Sequence, residues 1–103
     1  LQIYDLEIQV MSVFLVVASA VSAALVEDRL QRVVTDRQNG VYKVSEMVWA
    51  VDAGDLLTPK DVIDKMLDEG ESPSGLVVFP LVAYWGFHNK ALWAWLSSRG
   101  GSV

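Results

Sequence analysis

Three observations predict an α+β domain. Valine-rich apolar runs alternate with stretches of helical period. Two of the helical stretches fall between strands. A proline-capped helix signal, TPKDVIDKMLDEG, stands past the middle of the chain. A sheet and helices that each bury one side against the other make a layered domain around one core. The expected order is strand, strand, helix, strand pair, helix, strand, helix, and its middle part fits the ferredoxin-like β-α-β-β-α-β plait. The expectation is one domain over residues 1–103, with an extra N-terminal strand and a C-terminal helix added to the plait. Residues 1–10 read either as a leader or as that added edge strand.

The elements follow in order. In residues 1–10, Tyr4, Leu6, Ile8 and Val10 alternate with Asp5, Glu7 and Gln9, the period of a half-buried strand. Ser12 to Val17 is a second strand, apolar on both faces. From Ala20 to Arg37 the period changes, with Val26, Leu30 and Val33 on one side and an Asp28–Arg32 pair on the other. Asn39-Gly40 is the expected stop. Val41 to Val44 and Met47 to Asp52 then read as two short strands. Thr58 as N-cap, Pro59 in the first turn and Asp61 as the capping-box acid start the next helix. Val62, Ile63, Met66 and Leu67 form its apolar stripe. Lys60–Asp64, Asp61–Lys65 and Lys65–Glu69 line its outside, and Gly70 closes it. Leu76 to Trp85 is a strand. Pro80 lacks the N–H a central strand needs, so that strand belongs at an edge or carries a bulge. Asn89 caps a last helix, Lys90 to Arg99.

Composition removes several classes of function. There is no cysteine, so disulfide frameworks, thiolate metal sites and cysteine nucleophiles are excluded. A single histidine excludes a histidine-rich metal site, leaving only a hard cation on carboxylates. The net charge of -5 disfavours nucleic acid and suits a basic partner protein. Val10 to Val26 carries no charge and approaches the length of a membrane span. Serine and alanine dilute it, and Asp5 and Glu7 precede it where a basic flank is expected. It divides better into a strand, VFLVV, and the start of a helix, so a cytoplasmic chain without a membrane segment is expected.

In VFLVV, MVWAV and LVVFPLVAYW both parities are apolar. A plait with both helices on one face would leave the second set in water, an unusually large patch. Three covers fit: the C-terminal helix with Trp93 and Trp95, a second subunit, or a partner. The sequence reading favours a homodimer, packed through the sheets or through exchange of the N-terminal strand.

The segment Val48 to Leu96 carries VWAVDAGD, TPKDVIDKMLDEG, GLVVFPLVAYWGF and NKALWAWL. It resembles the C-terminal half of small ferredoxin-fold proteins related to the CRISPR-associated adaptation subunit and the VapD-type toxins. Trp49, Asp52, Trp93, Trp95 and Leu96 carry the likeness. The resemblance implies the plait, a dimer and a defence or toxin–antitoxin setting. Catalytic members hold a divalent metal near a phosphodiester with an Asp ending the first plait strand. Here that strand ends in Ala18 and Ser19, and Asp5 in IYDLE has no helix directly after it. The leading expectation is a non-catalytic dimeric interaction module without a cofactor. Its rivals are a Mg²⁺-dependent nuclease of the same group and an acidic inhibitor or immunity protein that caps a basic partner.

The candidate residues each have an ordinary explanation. Asp52 and Asp55 could hold Mg²⁺, or serve turn chemistry beside Gly54. His88 with Tyr84 and Trp85 could be a proton donor beside a stacking platform, or a turn next to a helix cap. Tyr84, Trp85, Trp93 and Trp95 are the expected interface residues, since tryptophan and tyrosine are enriched at binding hot spots. The alternative is that they pack within the chain.

Overall fold

Valine and phenylalanine, which suit a pleated surface, dominate VFLVVA, and this run forms the central strand β1 (Val13–Ala18). The computed structural model describes residues 12–81 and 90–99. After β1 come α1 (Ala23–Leu30), β2 (Val41–Ser45), β3 (Val48–Asp52), α2 (Pro59–Met66), β4 (Leu76–Pro80) and α3 (Lys90–Ser98). The strands make one antiparallel sheet in the order β2-β3-β1-β4. The protein is thus α+β, with a four-stranded antiparallel sheet and three helices among the described residues, an arrangement compatible with a ferredoxin-like plait. The strand expected over residues 1–10 lies outside the described residues.

Register sorts the side chains. Val16 lies between Trp49 and Val78, so these three share the inner face. With Phe14, Ala18 and Val51 they meet Val26 and Leu30 of α1 and Val62 and Met66 of α2 in the main core. The intervening residues Leu15 and Val17 lie opposite Ala50 and Phe79, and Val48 and Val77, on the outer face. Pro80 lies on edge strand β4, as its missing donor requires.

The helices begin where expected and end early. Ser22 caps α1, its Oγ accepting the Leu25 N–H at 3.1 Å. The expected run to Arg37 stops at Leu30, and the reason lies beyond the helix. Val33 and Val34 are adjacent yet both enter the main core, which one helical stripe cannot arrange. Asp36 then turns the chain: its carboxylate accepts N–H bonds from Gln38 and Asn39, and its carbonyl accepts from Gly40. A Cβ at Gly40 would lie 2.5 Å from that carbonyl oxygen and 2.8 Å from the Val34 Cβ, so only glycine fits.

Helix α2 has the predicted reciprocal capping box of Thr58 and Asp61, with Pro59 in the first turn. Of the outside pairs, Lys60–Asp64 forms at 2.8 Å, while the Asp61 carboxylate turns back to the Leu57 and Thr58 N–H groups. The helix ends at Met66, with Leu67 extended at φ -104°, so Gly70 does not close it. Gly70, at φ +88°, instead turns the loop that follows. Arg29 and Arg32 of α1 explain the early end. Their guanidinium groups donate to the Met66 carbonyl at 2.8 and 3.3 Å and satisfy the helix terminus from outside. Arg32 accordingly bonds Asp68, at 2.9 Å, where the sequence suggested Asp28.

Candidate interaction surface

The outer face of the sheet gets its cover from within the chain. Leu92 and Leu96 stand four apart on α3, so they share one face of the helix. Both are buried and form a second core with Val13 and Ala50. Trp95 flanks this contact, with its ring 6.0 Å from that of Tyr42 and tilted by 46°. Its indole N–H donates to the Asn39 carbonyl at 2.6 Å.

Arg99 fastens the end of α3 to the body. Its guanidinium donates to Asp52 at 3.1 Å, to Asp36 at 3.0 Å and to the Asn39 carbonyl at 2.7 Å. It also lies 5.3 Å from the centre of the Trp95 ring, within cation–π range. The two N–H groups offered by Asn39 and Gln38, together with Arg99, hold the Asp36 carboxyl below its ordinary range; the Asn39 bond is the largest cause. One nitrogen of Arg99, Nε, is buried without a hydrogen-bond partner. The clasp is therefore made by the fork of the guanidinium, which a lysine could not reproduce.

Beside α3 a groove of about 170 Å³ remains open. Leu15, Val44, Val48 and Leu81 of the sheet side and Leu92 and Trp93 of the helix line it, and no lining residue is charged. Phe79 and Val77 flank the outer face on β4, 51% and 47% exposed, the largest such exposures in the sheet. The cover by α3 is thus partial: it buries the Val13 end of the outer face and leaves the β4 side in water.

A second and larger cleft, about 700 Å³, lies where α2 gives way to the loop before β4. Asp64, Asp68, Glu69 and Glu71 line it. This acidity is largely spent within the chain. Asp64 pairs with Lys60, Asp68 with Arg32, and Glu71 with Arg29. Volume alone would favour this cleft, but its charge is already balanced and the apolar groove is not already filled.

The Glu71 pair has a consequence for acid stability. The Arg29 guanidinium first, and the Asp68 N–H second, hold the Glu71 carboxyl down from 4.5 to about 2. The unfolded chain therefore binds this proton more readily than the folded one. The stabilisation is complete above pH 4.5 and is lost as pH falls toward about 2. In Glu71→Gln the fall of the urea midpoint across that window should flatten. An acid limb identical to that of the unaltered protein would contradict the pairing.

The residues expected from sequence separate into three groups. Asp52 ends β3, but its carboxylate is shared between Arg99 and the Gly54 N–H, at 3.1 Å each. Asp55 is exposed in the following turn. Among the described residues, no three His, Asp or Glu side chains gather as a metal-holding group. Trp93 lines the groove and Trp95 builds the clasp, so the two serve different surfaces. Tyr84, Trp85 and His88 lie outside the described residues. Sequence reasoning passed over Arg99, Asp36 and Phe79. A cation in the last turn of a helix and an Asp three residues before Asn-Gly were the available signals for the first two. For Phe79 the signal was its parity with Val77 in LVVFP.

Among the described residues, no helix is long and apolar enough to cross a membrane. No family model, no curated protein and no solved structure matches the chain.

Proposed function

We propose that the chain is a non-catalytic protein-interaction module that works as a homodimer, a ferredoxin-like plait whose added C-terminal helix leaves a docking groove on the outer face. The likeness carried by Val48 to Leu96 would set it in a defence or toxin–antitoxin system. The observation that carries the reading is the uncharged groove beside α3, flanked by half-exposed Phe79. Apolar surface of this kind on a globular domain marks a contact site more often than a catalytic one. The non-catalytic part draws on Asp52, whose charge is met by Arg99, and on a first strand that ends without a carboxylate.

Sedimentation equilibrium over a concentration series tests the proposal. The expected result is a weight-average mass that climbs from one chain toward two. A groove and one flanking aromatic make a small interface, of the transient class below about 1,200 Å², so the rise belongs in the micromolar range. A single-chain mass throughout would overturn the dimer. Cleavage of RNA or DNA with Mg²⁺ or Mn²⁺, abolished by Asp52→Ala, would overturn the non-catalytic reading.

A further inference from the structure

We infer that Phe79 of each copy seats in the groove beside α3 of the other, giving a two-fold contact in which one patch supplies both knob and hole; this rests on the dimeric reading above. The register places Phe79 directly opposite Leu15 on the outer face, and Leu15 is part of the groove. The protruding ring and the recess are therefore neighbours on one surface. A two-fold interface requires that arrangement, because the same patch must complement itself.

Charge selects a second copy over a basic partner. At a net charge of -5, two copies repel each other. They can approach at least cost through a region without charge, and no residue lining the groove carries one. A basic partner would gain nothing there and would be drawn to the acidic surfaces elsewhere. The two cases respond oppositely to salt. Screening relieves repulsion between copies and strengthens their pairing, whereas it weakens attraction to a basic protein.

The edge of the sheet directs the contact to the face. The Leu81 N–H bonds the Val13 carbonyl at 2.9 Å and the Ser19 N–H bonds the Gly75 carbonyl at 2.7 Å. Antiparallel alternation then points the ladder groups of the odd-numbered β4 residues toward β1. Those of Leu76, Val78 and Pro80 point to the free edge. Pro80 has no N–H to offer there, so a second strand cannot zip along the full edge. Phe79, one residue away, projects from the face and stays available.

The test mixes two variants of the full chain. Phe79→Glu and Val44→Lys each put a charge into the contact, one on the knob and one in the hole. Each alone should weaken self-association by about thirtyfold, the loss of one hot-spot side chain. Mixed together they should recover a dimer containing one of each, since the carboxylate introduced on one copy's knob meets the ammonium introduced in the other copy's hole. Circular dichroism checks that each variant is folded, and Phe79→Ser provides the same loss without added charge. The wild-type association should hold or tighten as salt is raised. If Phe79→Glu and Phe79→Ser pair as tightly as the unaltered protein, the knob assignment is wrong and the dimer survives by another surface. If the variants fail to recover a mixed dimer while the wild type pairs, the knob-and-hole geometry is wrong. A wild type that never pairs removes both this inference and the dimeric reading.

Discussion

Trp49→Ala should lower the unfolding free energy by about 3–5 kcal/mol, the cost of emptying a buried tryptophan site. Trp49 is fully buried at the middle of the sheet, on β3, with Val16 on one side and Lys43 on the other. Its ring lies in the main core with residues of α1 and α2, so the whole two-layer contact depends on it. A domain of this size has roughly 5–15 kcal/mol in total. Urea denaturation followed by far-ultraviolet circular dichroism should place the variant near the edge of folding. A loss below about 1 kcal/mol would mean that the ring is not enclosed as described.

Trp49→Phe separates the ring from its N–H. The indole donates to the Glu27 carboxylate at 3.0 Å, and Lys43 approaches the same oxygen at 3.1 Å. Trp49 first, and Lys43 second, hold the Glu27 carboxyl below its ordinary value. With phenylalanine most of the burial survives and the hydrogen bond is lost. The stability loss should then shrink to about 1 kcal/mol, and the Glu27 titration should move upward. Because the folded state lowers this pKa, the bond's contribution is present at neutral pH and fades on acidification. An unmoved Glu27 titration in Trp49→Phe would break the link.

The second large effect concerns α3. Arg99→Met should release the helix, because it removes three hydrogen bonds and the cation over Trp95 in one step. Asp36 and Asp52 are left without their countercharge, and the Asn39 carbonyl keeps only the Trp95 donor. Leu96→Ala weakens the same docking by packing instead, at about 2–5 kcal/mol if α3 stays in place. If α3 leaves the sheet as a unit, the loss is capped at whatever its docking contributes, and the main core survives. Both variants should therefore bind a hydrophobic dye strongly while keeping native far-ultraviolet signal from the sheet. Backbone hydrogen exchange should rise across Lys90–Ser98 and change little in β1. Dye binding unchanged from wild type in both variants would show that neither contact holds the helix.

How much of this was legible in the sequence depends on the range of the cause. The capping box of Thr58 and Asp61, the edge position of Pro80 and the two apolar parities of β1 and β4 are all local, and each was readable. The helix ends were not. Helix α2 stops because Arg29 and Arg32, more than thirty residues earlier, reach the Met66 carbonyl. Helix α1 stops because Val33 and Val34 both belong to the core, which no single periodicity announces. The cover of the outer face was partly legible. The alternation required a cover, and α3 was among the covers weighed, but the tryptophans drew attention away from Leu92 and Leu96. These two make the contact, while Trp95 turns inward to Tyr42 and Asn39. Asp52 attracted notice as a carboxylate at a strand end. Its partner Arg99 lies 47 residues away, and nothing in the local spacing links them.

The same geometry explains why the interaction surface differs from the one the aromatic residues suggested. Once α3 is seated, what remains open is the strip between the helix and β4. Its members are aliphatic except Trp93 and Phe79, and they come from all three of β1, β3 and β4 as well as β2 and α3. No stretch of the chain displays them together.

Everything about that strip depends on where α3 rests, and methyl-resolved nuclear Overhauser spectroscopy on a dilute, single-chain sample measures this directly. Cross-peaks from the Leu92 and Leu96 methyls to Ala50 and Val13 are expected, with the Phe79 ring lacking contacts to α3 of its own copy until the concentration is raised. If Ala50 and Val13 show no cross-peak to either leucine in that sample, the helix does not cover the sheet, and the groove as described does not exist.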